Sequence, residues 1–299
     1  MILASFAAAV LQPQTVVTVD PSHRLIEGVA SDGKTVWLSS LIDRQILACR
    51  KERCKTLATL PEGLHPFAIA WDSSRKYLWV AADCPPGVSF IKACGAGAVM
   101  AFDAKGKVRA RIGPTVGDFH PGDVSAAEGQ VFASDSQNGM VYRLTPNGKA
   151  LMAIVLPGLG KSGQGSAYDR ANNRLIVADY SQGITAIDLA TNTRTLLLRD
   201  NGKPLRGIDG LMRCGSGFLG VYNGQSPGQL IAFTIDGGKL KLREAVEGYT
   251  MPDPTQVASD GKRLLVVPNA GWEGAMKGET ARSAGAPIIA FPLAAVCPS

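Results

Sequence analysis

Charge and aromatic residues are both in short supply here: Asp, Glu, Lys and Arg make up 19% of the 299 residues, and Phe, Trp and Tyr only 6%. Disordered chains and long helical rods carry more charge than this. With 34 Gly and 18 Pro, the composition describes a compact β-rich globule. No stretch has linker composition, so residues 14–299 are read as a single domain. The apolar N-terminus, Ile2 to Leu11, is too short to span a bilayer. It has the small and apolar residues of an export signal ending near Ala7-Ala8-Ala9, without the basic residues that normally precede one. Residues 1–13 are therefore expected to be a signal segment or a loose terminus of a periplasmic or secreted protein; without cleavage the chain would stay cytoplasmic. No membrane span is expected.

The net charge of +6 is not gathered into a stripe. Lys and Arg are scattered singly among turns, and the densest run, Arg50-Lys51-Glu52-Arg53, reads as a solvated hairpin end, so no nucleic-acid partner is expected. Cys-x-x-Cys and Cys/His spacings are missing, which excludes a structural zinc site. The six cysteines are even in number and suit disulfides in an exported chain. Cys49 and Cys54 flank one turn, Cys84 and Cys94 close one loop, and Cys214 and Cys297 remain as a long-range pair.

One pattern is present many times over. Ile26 to Asp32 is a short apolar run with a carboxylate near its start; it reaches the Asp32-Gly33 pair, and Val36-Trp37-Leu38 leaves it, as a β-hairpin requires. The pattern returns at Phe67, Asp123, Gln164, Asp209 and Thr255. Each unit continues with a second and a third apolar run, such as Tyr77-Leu78-Trp79-Val80 and Val99-Met100-Ala101-Phe102. Several add an edge-like fourth, such as Thr193 to Leu197. Four short strands repeated about every 40 to 55 residues are the signature of a β-propeller, here with six blades. The last unit lacks a fourth strand, and Gln14 to Val19 lacks a partner. The N-terminal strand is therefore expected to complete the sixth blade and close the ring. Connectivity then places two long loops, Asp83 to Ala98 and Pro268 to Ala286, on the face where the inner strands begin.

Register across the six units puts Glu27, Phe67, Asp123, Gln164, Asp209 and Thr255 in one ring at the channel mouth. Three carboxylates and an amide converging there would repel one another unless a cation neutralised them. All the donors are oxygens, which selects a hard cation; Ca²⁺ fits first, with Mg²⁺, Mn²⁺ or Zn²⁺ as alternatives. His65 and His120, in the parallel phrases His65-Pro66-Phe67 and His120-Pro121-Gly122-Asp123, stand just before the ring. They are candidate substrate-binding residues. Trp272, in the second long loop, is a third and could cap a ligand. Gly158-Leu159-Gly160-Lys161-Ser162 has the look of a phosphate loop, but Val155 stands where its first Gly is needed and no helix follows. No serine nucleophile elbow and no Cys/His pair at a known spacing is present, so any chemistry must come from the ring.

The six units, the Ile26-Glu27-Gly28 entry, the Gly163-Gln164-Gly165-Ser166-Ala167-Tyr168-Asp169 unit and the Ile208-Asp209-Gly210-Leu211 unit together resemble the gluconolactonase/regucalcin (senescence marker protein) family of six-bladed propellers. Paraoxonases and strictosidine synthase are more distant relatives. The resemblance implies a divalent metal held by Glu27, Gln164 and Asp209, with Asp123 nearby. Gln164 replaces the family's Asn, and Asp123 replaces a second Asn. The resemblance also implies hydrolysis of a lactone or ester, with Asp209 as the base that activates water and Asp123 second to it. The competing expectation is a non-catalytic propeller that binds a small ligand or a protein on the same face, since fold alone does not establish function.

Overall fold

The computed structural model describes residues 11–114, 118–155, 158–279 and 282–298. Residues 1–10, which hold most of the stretch read as an export signal, lie outside them. The described chain folds into six sheets, antiparallel apart from one short edge strand, arranged as the blades of a propeller. The innermost strands are Ile26–Ser31, His65–Asp72, Pro121–Ala127, Gly163–Asp169, Ile208–Cys214 and Val257–Ser259. From each, the chain steps outward through successive hairpins, and the outermost strand leads across to the next blade.

Alternation and turn chemistry explain the hairpins. Glu128 and Gly129 both have positive φ, 51° and 77°, and make a two-residue turn between Ala127 and Gln130. The first blade turns instead through four residues, with the Asp32 N–H donating to the Thr35 carbonyl. Each blade is apolar on both faces, so the core is a set of layers between neighbouring blades. Between the first and second, Trp37, Ile46, Ile69, Leu78 and Val80 are all at most 2% exposed. There Trp37 stacks on Trp71 with ring centroids 4.6 Å apart. Such pairs add about 0.5–1.5 kcal/mol to the area they bury.

Closure follows the expected route. Gln14–Val19 pairs antiparallel with Ala286–Pro292 as the fourth strand of the last blade, burying Val17 and Val19. The fourth blade departs from the expected single edge strand: Arg194–Leu196 pairs within its own blade, and Leu198–Arg199 then pairs parallel with Lys239–Glu244 of the next. Buried Leu197 lies between the two pieces and pins the chain where it changes sheets.

Aspartates at the ends of second strands tie the inner-strand entries in place. Asp135 Oδ1 accepts from the Gln137 and Asn138 N–H groups, and its Oδ2 accepts from the His120 N–H. Asp179 repeats the pattern with Ser181, Gln182 and Lys161. The three disulfides join Cys49 to Cys54, Cys84 to Cys94 and Cys214 to Cys297. They suit an extracellular or periplasmic setting. Among the described residues, no helix is long and apolar enough to cross a membrane.

Candidate functional site

A recess of about 570 Å³ opens at the end of the ring where the inner strands begin. Its floor is built by one residue from each blade: Glu27, Phe67, Gly122, Gln164, Asp209 and Thr255. Five of these are the residues read from the repeat, and the third blade differs by one position. There Pro121 faces Asp135 and Val124 faces Ala133, whereas in the first blade Ile26 faces Ser40 and Val29 faces Leu38. Gly122 is thus the counterpart of Glu27, and Asp123 the counterpart of Gly28. The cause is the turn: this hairpin has one residue pair more than the first blade's and carries its Gly second, in Glu128-Gly129, so a count back from that Gly falls one position late, whereas the equally tight Gly215-Ser216 turn of the fifth blade carries its Gly first and leaves Asp209 in register. Asp123 consequently lines the channel cavity below the floor and not the recess. Gln256 donates to its carboxyl, and Gln256 Oε1 accepts from the Val29 N–H at 2.7 Å.

The bare Gly122 matters to the floor. A Cβ there would stand 2.8 Å from Ser136 Cβ, so a larger residue would crowd Ser136, and Gln164 Oε1 lies 3.5 Å from the same point. Gln164 Nε2 is turned the other way, 3.4 Å from Ser162 Oγ. Glycine is also needed one layer lower, where a Cβ on Gly165 would lie 2.3 Å from the Leu211 backbone nitrogen.

Both floor carboxylates spend one oxygen on a neutral donor. Trp272 Nε1–H donates to Glu27 Oε2 at 2.7 Å, and Asn223 Nδ2–H donates to Asp209 Oδ2 at 2.9 Å. The same Asn223 nitrogen reaches the Pro254 carbonyl at 2.9 Å, and Asn223 Oδ1 is buried without a partner. Burial pushes the Glu27 carboxyl well above the usual range, and the charges of Asp209, Asp253 and Asp123 push it the same way. Asp209 is raised to about 7, by burial first and then by Asp253, against the lowering effect of Asn223. Asp123 is raised by burial and by Asp209. A carboxyl near 7 is suited to taking a proton at neutral pH.

Tyr180, Asn223 and Asp253 also line the recess and were not read from the sequence. Tyr180 and Asn223 lie just past the ends of second strands, and aligning those ends across the repeats would have found them. Asp253 lies in the connection between blades and carries no such signal. Among the described residues, no three His, Cys, Asp or Glu side chains form a metal-holding group by themselves. A cation here would need the amide oxygens as well.

The two histidines read as substrate contacts stand elsewhere. His65 is 4% exposed, and its Nδ1–H donates to the Leu41 carbonyl at 2.9 Å. His120 Nδ1 lies 3.1 Å from Asp83 Oδ2. Neither lines the recess: His65 is held by the preceding blade just past the strand Val36–Ser40, and His120 by the end of the strand Tyr77–Asp83 of the blade before it. Trp272 does line it, though its single N–H is already engaged. Ser226, in Gly224-Gln225-Ser226-Pro227-Gly228, has the residue spacing of a nucleophile elbow and sits at the recess. It lies in the connection between two antiparallel strands, and no histidine shares the recess, so it lacks both the elbow and a base.

No family model matches this chain, and no curated protein matches it. Solved structures do. The PQQ-bound aldose sugar dehydrogenase of Streptomyces coelicolor is 14% identical over 95% of this chain and 99% of its own, with a TM-score of 0.63. The major allergen Mala s 1 of Malassezia sympodialis is 14% identical over 91% and 95%, with a TM-score of 0.62. A chain of the nidogen/laminin complex is 14% identical over 74% and 81%, with a TM-score of 0.59. At such identities the likeness is one of fold.

Proposed function

We propose that this chain is a divalent-metal-dependent hydrolase of the gluconolactonase-like type, opening a lactone or related ester ring at the top of its central channel. The observation that carries this reading is the floor of the recess: two partly buried carboxylates, Glu27 and Asp209, beside the amides of Gln164 and Asn223, with no Lys or Arg among the described residues that line it. Carboxylates brought together away from bulk water are costly unless a cation neutralises them, and here Asp209 raises Glu27 while Asp253 raises both. The partnerless Asn223 Oδ1 gives the donor set a neutral oxygen with no other use in the fold. These donors fit a hard cation, with Ca²⁺ first and Mg²⁺, Mn²⁺ or Zn²⁺ as alternatives. Glu27, Gln164 and Asp209 would hold it, and when bound it polarises an ester carbonyl.

The chain's own residues supply the rest. Asp209 would hold the cation through Oδ2, the oxygen that also accepts from Asn223, and takes the proton of the attacking water on Oδ1; it returns that proton to the ring oxygen as the acyl C–O bond breaks. Asp123, one layer lower and outside the recess, does not reach that water, so the base role falls to Asp209 alone. Phe67 and Trp272 wall one side of the recess and shield the reacting ester from bulk water. The sugar-dehydrogenase likeness raises a quinone cofactor as a rival. The three carboxylates of PQQ would face Glu27, Asp209, Asp253 and Glu273, with no basic side chain among the described residues of the lining to receive them, which disfavours it.

Metal analysis of the purified protein, then turnover of a panel of sugar and acyl lactones with and without chelator, tests the reading. Asp209→Asn should lower kcat by about 10²–10⁴-fold, the range a general base contributes. Glu27→Gln should mainly weaken metal binding. Unchanged turnover in both variants, or a protein that holds no divalent metal and opens no lactone, would leave the ligand-binding propeller as the better description.

A further inference from the structure

Trp272 differs in its setting from the other three tryptophans. Trp37, Trp71 and Trp79 lie within strands and pack in layers between blades. Trp272 opens the short helix Trp272–Met276 in the long loop above the recess. It is anchored from two sides. Asp253 Oδ2 accepts its backbone N–H at 2.7 Å and the Gly271 N–H at 2.9 Å. Its indole Nε1–H reaches Glu27 Oε2 at 2.7 Å, while the ring leans on Phe67 with centroids 6.2 Å apart.

An indole has one polar atom, and here that atom is spent on a carboxylate. Trp272 therefore has no donor left with which to recognise a polar ligand. We infer that Trp272 is a positioning residue: it holds Glu27 Oε2 and so fixes the rotation of that carboxylate, leaving Oε1 as the oxygen free to bind a cation. This rests on the proposed metal-dependent reading of the site and goes beyond it by adding a support that the donor set alone does not reveal. Asp253, between blades, holds the helix start, the helix start holds the indole, and the indole holds a carboxylate on the first blade. Partners of this kind commonly change metal affinity 10–100-fold when removed, because the freed ligand must be ordered again on binding.

The test is a double-mutant cycle on the full chain stripped of metal, with Ca²⁺ alone as the probe and affinity read by titration calorimetry. Trp272→Phe, which keeps a ring and removes the N–H, should weaken Ca²⁺ binding by about 10–100-fold. Glu27→Gln should weaken it at least as much. The double variant should be no weaker than Glu27→Gln, because the Trp272 effect passes through Glu27. A purely structural Trp272 would instead give effects that multiply, and that result, or wild-type affinity in Trp272→Phe, overturns the inference while leaving the metal reading intact. Thermal unfolding checks that each variant is folded, and Trp272→Leu replaces Trp272→Phe if the latter is not. A wild-type chain that binds none of Ca²⁺, Mg²⁺, Mn²⁺ or Zn²⁺ overturns both.

Discussion

Asp209 is the residue whose environment is most consequential. In the unfolded chain its carboxyl titrates near 3.8, and in the fold it is raised to about 7. Between those values the metal-free folded state holds a proton that the unfolded state has lost, so stability falls as pH rises through that window and levels off above it. Glu27 and Asp123, both raised, act in the same direction. Asp169 acts oppositely and elsewhere: its burial is outweighed by Asn172 and Arg174, so its contribution is lost only at pH below the ordinary carboxylate range. Scanning calorimetry of metal-stripped protein should show a Tm that drops from pH 5 to pH 7.5. In Asp209→Asn the drop should be smaller, and an equal drop would contradict the burial of that charge. Excess Ca²⁺ should raise Tm most at the upper pH, where the carboxylates are ionised.

Hairpins decided which residue each blade presents to the recess. Glu27, Phe67, Gln164 and Thr255 were legible because repeat spacing carries register when strands and turns are of matching length, and Asp209 because its shorter turn carries Gly215 first. Asp123 was misplaced because the two-residue turn Glu128-Gly129 carries its Gly second, and a single residue of register moves a side chain from the floor to the layer beneath. Disulfides belong to this scale too. Cys214 and Cys297 are 83 residues apart and pin the chain's end to the fifth blade, whereas Cys49 and Cys54 are 5 apart across one turn. Loop-closure entropy gives about 4–5 kcal/mol for the first and about 2 kcal/mol for the second. Denaturant unfolding should rank the paired Cys→Ala variants in that order, and equal losses would mean that the short link does more than close its turn.

The molecule as a whole depends on one joint. Val17, 2% exposed, belongs to the strand that completes the last blade and packs in the layer between the sixth and first blades. Placing a charge there opposes the closure itself, at a cost of several kcal/mol for an unpaired buried carboxylate. Val17→Asp should lower Tm by more than 10 °C or prevent folding, and an exposed-position control such as Thr15→Asp should not. A ring that tolerated Val17→Asp would not be held shut by this strand. Closure also sets the recess, because Trp272 of the last blade reaches Glu27 of the first across this same seam.

Periodicity alone determined the six blades, the closing strand and most of the ring, since these depend on alternation and spacing along the chain, and the places of the cysteines around one turn and one loop gave two disulfides and left the third pair over. Tertiary structure alone decided that Asp123 lies below the floor, that His65 and His120 tie on to the blade before their own, and that Asn223, Asp253 and Tyr180 join the site. Those outcomes turn on turn length and on contacts between segments far apart in sequence. A linear pattern carries no record of which distant groups a buried carboxylate will meet.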